Sequence, residues 1–151
     1  MSAVLQPSRA AVADAVSSTA WAVLLLRVAL GIMWLAHALL KPLVFTFDGT
    51  AQFFESVGIP GFFVLPVFAA EVTVGLALIL GVYARQAALA SMPIMLTVVW
   101  VHAPNGWLHI AKGGGWEYPL FLTVASLVLW LAGDGMLALR RSARFAPRAA
   151  A

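Results

Sequence analysis

From Ala20 to Leu40 the chain is an unbroken apolar run with one formally charged side chain, Arg27. Its length matches the roughly 20 residues an α-helix needs to cross a hydrocarbon core of about 30 Å. Because lipid offers backbone polar groups no partner, a run of this kind must be helical. An ionisable group inside it needs a partner or a water-filled cavity, and is a functional-site candidate for that reason. On a helical wheel centred on Arg27, Gly31 and Lys41 fall to either side of it, Trp34 lies between Arg27 and Lys41, and His37 lies beyond Lys41 at the edge of the same face. One face of the helix from Arg27 to Lys41 therefore carries every polar group in the stretch.

Composition agrees with a membrane setting. Hydrophobic residues make up 63% of the chain and charged residues 10%, well away from soluble averages. The 151 residues have room for about four spans with short connections. Cysteine is absent, which excludes disulfides, thiolate metal sites and a cysteine nucleophile. The basic balance comes mainly from a short Arg-rich tail; it is a topology signal, and no nucleic-acid partner is read from it.

In chain order, residues 1–19 read as a flexible N-terminal segment without a signal peptide, since the following apolar run is too long for one. The expected spans are about 21–40, 62–82, 87–103 and 118–139, with Gly133-Asp134-Gly135 fraying or bending the end of the last, followed by a basic cytoplasmic tail at 140–151. Residues 43–61 read as a short amphipathic helix at the membrane surface. Asp48-Gly49-Thr50 supplies cap chemistry, Phe53, Phe54 and Val57 share a face, and Gly58 with Pro60 stops the helix. A loop with buried aromatics is the alternative. The fold class is thus all-α and integral to the membrane: an antiparallel bundle of four transmembrane helices with one interfacial helix in the first loop. Placing Arg9, Arg85, Arg140, Arg141, Arg144 and Arg148 on one side and only Lys41 and Lys112 on the other puts both termini in the cytoplasm.

Two polar constellations follow. Counting depth from the span ends, at about 1.5 Å per residue, separates Arg27 and Glu71 by roughly 7 Å. A long Arg side chain can cover that, so an Arg27–Glu71 ion pair is expected, either fixing helix register or serving a ligand. If Arg27 instead snorkels to the interface, Glu71 is left alone. At the outer end, His37 and Lys41 close the first span, His102 closes the third and Glu117 opens the fourth, with Trp34 one turn inside. These residues suit an amphiphilic carbonyl compound such as a quinone, which needs donors at its oxygens and apolar contact along its tail. Interfacial anchoring is the plainer account, and it fits Trp116 and Tyr118 better than His37. No local ligand spacing marks a metal site.

The ordered set Arg27-x3-Gly31-x5-His37-x3-Lys41, Phe53 to Pro60, Ala70-Glu71-x3-Gly75, His102-Ala-Pro-Asn105-Gly106 and Gly115-Trp116-Glu117-Tyr118 resembles the DoxX family of small bacterial membrane proteins, over about residues 22–139. The resemblance implies a four-helix bundle similar in outline to vitamin K epoxide reductase and to the DoxD-type subunit of thiosulfate:quinone oxidoreductases. It places the family's polar set on Arg27, His37, Lys41, Glu71, His102 and Glu117. Ala38 departs from the Gly usual after the His, and the missing cysteines exclude the dithiol chemistry of the epoxide reductases. Two functions are carried forward for a bacterial inner-membrane protein in contact with lipid. One is a quinone-interacting accessory subunit of an oxidoreductase complex, its electrons supplied by a partner. The other is a non-catalytic anchor or assembly subunit. A transporter gains little support, since no internal repeat is evident.

Overall fold

The structure, a computed structural model, describes residues 9–142, with side chains described from Ser17 onward. Its helices are α1 (Arg9–Leu40), α2 (Phe47–Ser56), α3 (Val64–Leu80), α4 (Ala84–His102) and α5 (Glu117–Ala132), and no strand occurs among the described residues. Three apolar segments, Ser17–Phe45, Gly61–Leu80 and Ala84–Asn105, are long enough to cross a membrane, and Glu117–Ala132 is apolar but shorter. Leu25, Ile32, Phe62 and Phe121 stand out from the bundle, the arrangement of a membrane protein whose outer surface meets lipid.

Helix α1 begins at Arg9, so residues 9–19, expected to be flexible, are helical; residues 1–8 and 143–151, including most of the expected tail, lie outside the described residues. At its other end α1 does not stop at Lys41-Pro42 but widens into a π turn, Lys41–Phe45. Pro42 has no N–H for the carbonyl of Ala38, and the widened turn leaves Lys41 buried. The α2 helix follows with its cap two residues earlier than expected: Thr46 Oγ1 accepts from the Gly49 N–H at 3.0 Å.

Helices α1 and α3 cross antiparallel at their closest point through two glycines. A Cβ on Gly31 would lie 2.7 Å from Ile79 Cγ1 and 2.8 Å from the Gly75 carbonyl, while one on Gly75 would lie 2.7 Å from Leu35 Cγ. Small residues allow this approach, which membrane helices use to gain packing contact. Helices α4 and α5 pair along a second small-residue seam of buried Ala88, Ser91, Ala125 and Ser126. There the Ser91 hydroxyl donates to the Ala88 carbonyl at 2.7 Å and lies 3.4 Å from Ser126 Oγ. Leu30, Trp34, Val74, Leu78, Leu122 and Leu129 fill the space between the pairs.

The fourth apolar helix was expected to reach Leu139, but α5 ends at Ala132 and residues 133–142 fold back as a non-helical strap. Asp134 explains the stop. Its buried carboxylate accepts from the Ser142 N–H at 2.8 Å, the Ser142 hydroxyl at 2.7 Å and the Arg85 N–H at 3.3 Å, so it caps the N-terminus of α4 where negative charge is favoured. Three of the strap's own N–H groups reach carbonyls of α1 and of the end of α3: Met136 donates to Ala20, Leu139 to Leu80 and Arg140 to the capping Gly81, at 3.0, 3.2 and 3.0 Å. Irregular backbone beside lipid is tolerable only when it is satisfied in this way.

Candidate functional site

The antiparallel register of α1 and α3 decides which charges meet. Since Gly31 faces Ile79 and Leu35 faces Gly75, Arg27 lies level with Gly81 and Glu71 lies level with the last turn of α1. The two expected partners are thus about 16 Å apart along the axis, and the Arg27–Glu71 pair does not form. Glu71 pairs instead with Lys41, Nζ to Oε2 at 2.5 Å, and both side chains are buried. Arg27 is 1% exposed and donates from Nη2 to the Met136 carbonyl of the strap at 3.2 Å, close enough to Asp134 for the two charges to interact. Its guanidinium fits because residue 81 is glycine: a Cβ there would meet Arg27 Nη1 at 1.5 Å, and the φ of +67° also favours glycine;.

The Lys41–Glu71 pair lies in the wall of a cavity of about 1330 Å³ lined by α1, α2, α3, α4 and α5. Trp34, His37, Lys41, His102 and Glu117, the five ligand candidates from sequence, all line it, and so does Glu71; Arg27 does not. Most of the remaining wall is apolar, with Phe53 and Phe54 of α2 and the following Val57 on one side and Val98, Val101 and Leu122 on the other. A largely apolar cavity with a few convergent polar groups is the usual form of a small-molecule site.

Three histidines edge this cavity, and carbonyl partners define the tautomer of two. His37 Nδ1 lies 2.9 Å from the Met33 carbonyl, and His102 Nδ1 lies 3.0 Å from that of Gly113. A carbonyl can only accept, so Nδ1 carries a proton in both rings, and in the neutral imidazole Nε2 is the acceptor. The His37 ring also stacks on Tyr118, with centroids 6.1 Å apart. Where the loop after α4 meets the head of α5, Glu117 Oε1 accepts from the His109 backbone N–H at 2.9 Å and from its ring at 2.7 Å. These two bonds, the backbone one first, hold the Glu117 carboxyl below the usual carboxylate range;. Trp107 and Trp116 meet edge to face with centroids 4.5 Å apart and close the loop on itself;. No group of three His, Asp or Glu among the described residues is arranged to hold a metal ion.

Sequence reasoning placed Glu71 with the wrong cation and so left it out of the ligand group. Neither His109 nor Asp134 was among the candidate site residues. The usable signal for Asp134 was topological: a buried Arg27 in the first half of the span expected at 21–40 calls for a carboxylate at that same end, and with antiparallel helices residues 133–135 return there.

No curated protein and no solved structure matches the chain. The family model for DoxX matches residues 22–103, from α1 through the end of α4, which includes Arg27, His37, Lys41, Glu71 and His102 but not the strap or Glu117. The chain belongs to the DoxX family.

Proposed function

We propose that this membrane protein is a quinone-interacting subunit of an oxidoreductase complex. The observation that carries the reading is the convergence of His37, Lys41, Glu71, His102 and Glu117 on one large, mostly apolar cavity. Apolar walls suit an isoprenoid tail, and the clustered donors suit ring oxygens. The lining groups make hydrogen bonds and handle protons; the electrons come from a partner subunit. In this reading α1, α3, α4 and α5 are the four spans, α5 completed by the strap because its 16 residues reach only about 24 Å. Helix α2 lies in the interface, and both termini face the cytoplasm of a bacterial inner membrane. Arg85 and Arg140 at the strap end, against Lys41 and Lys112 at the cavity end, support that orientation.

Extraction of the native complex in mild detergent tests the proposal: a quinone and a redox partner should come out with the chain, and finding neither overturns it. The anchor reading draws on the exposed apolar tip of the cavity-end loop, where Ile110 is 77% exposed, a surface that fits a partner subunit. It fails if His37→Ala and His102→Ala leave the complex assembled but inactive.

A further inference from the structure

The inner end of the cavity has unused hydrogen-bonding capacity of both kinds. Trp34 is 1% exposed and lines the cavity, and its indole N–H has no partner among the described residues. The Lys41 ammonium has three N–H groups, of which one is committed to Glu71 Oε2. On the accepting side, Glu71 Oε1 receives no hydrogen bond from the described residues, and His37 Nε2 keeps its lone pair because Nδ1 donates to Met33. Trp34, His37 and Lys41 stand at i, i+3 and i+7, one side of one helical stretch.

That mixture selects among heads. Lys41 and Glu71 cancel in charge, so an anionic head would have to displace Glu71 from the ammonium and leave the carboxylate unpaired. A quinone carbonyl only accepts. It could use Trp34 and Lys41, but it would seal Glu71 Oε1 and His37 Nε2 away from water without a donor, and such orphaned groups discriminate strongly between ligands. A hydroquinone hydroxyl accepts and donates at the same atom. We infer that Trp34, His37, Lys41 and Glu71 form a head-group subsite that prefers the hydroxyl-bearing, two-electron-reduced form of a quinone to the carbonyl form and to an anionic amphiphile. The inference rests on the quinone reading above and adds which redox state the site holds.

The test uses the full chain in lipid nanodiscs and three probes: decylubiquinol under anaerobic conditions, decylubiquinone and dodecanoate. The quinol should bind about tenfold more tightly than the quinone, with dodecanoate weakest. Trp34→Phe, which removes only the N–H, should weaken both redox forms several-fold and leave their ratio unchanged. The double replacement Lys41→Met with Glu71→Met leaves no orphaned charge and should bring the ratio close to unity. Quinone or dodecanoate binding as tightly as the quinol or tighter overturns the subsite, and the quinone reading stands as long as either redox form of the quinone binds; binding of dodecanoate alone overturns both. Binding of none of the three overturns both.

Discussion

Helix α1 and the π turn that follows it bury two cations about 21 Å apart, and the bundle treats them differently. Around Arg27 the space is filled: Gly81 gives way to the guanidinium, a backbone carbonyl takes one N–H, and a strap pinned by Asp134 closes that end over α1, α3 and α4. Around Lys41 the space is open: a π turn carries the ammonium onto a carboxylate at the edge of a large cavity, with donors and acceptors to spare. The contrast teaches that a buried charge does not by itself mark a ligand site. Whether backbone and small residues pack against it, or leave room beside it, decides between a fastening and a site.

The comparison breaks most visibly if one partner of the open pair is removed. Glu71→Ala should cost roughly 3–5 kcal/mol of unfolding free energy in detergent, because it strands a buried ammonium, and the Lys41→Met/Glu71→Met double replacement should recover most of that loss; denaturant titration reads both. At the closed end Gly81→Ala should cost roughly 3 kcal/mol, from left-handed strain together with overpacking against Arg27, and should leave quinone binding unchanged in whatever protein remains folded. Asp134→Ala should cost about 1 kcal/mol through the lost cap. It should also raise hydrogen exchange at 133–142 and at the start of α4, while the loop holding His109 stays protected.

The smallest effect concerns the Glu117–His109 closure. Because the folded-state pKa of Glu117 is depressed, the stability it adds is fully present above the ordinary carboxylate range and is lost only as pH falls through the lowered value. Fluorescence of the Trp107–Trp116 pair should therefore hold steady while a free glutamate would titrate and change only on further acidification. In Glu117→Gln that acid transition should disappear.

Much of this contrast could be read from the residues. The polar face of α1 holds: Arg27, Gly31, Trp34 and Lys41 are buried, and His37, at the edge of that face, is exposed. The five ligand candidates do meet in one cavity, because span ends and loop lengths fix which residues share an end of an antiparallel bundle. What the residues did not give was register. Setting span ends flush with the membrane put Arg27 and Glu71 within reach, whereas the Gly31–Gly75 crossing slides α3 so that they are about 16 Å apart. The strap was legible only in part. Gly133-Asp134-Gly135 marks a bend, and Gly133 and Gly135 do turn the chain there at φ +116° and +70°, but apolar residues 136–139 look like the end of a span, and the capping of α4 by Asp134 is a long-range contact.

The central claim is that Glu71 answers to Lys41 and not to Arg27. Two double-mutant cycles on unfolding in detergent, Lys41→Met with Glu71→Gln and Arg27→Met with Glu71→Gln, measure that directly. A coupling energy of about 1.5 kcal/mol or more for Lys41–Glu71, with additivity within about 0.5 kcal/mol for Arg27–Glu71, is the expected result. Strong coupling in the Arg27 cycle and none in the Lys41 cycle would contradict the register, and with it the division of the molecule into a closed end and an open one.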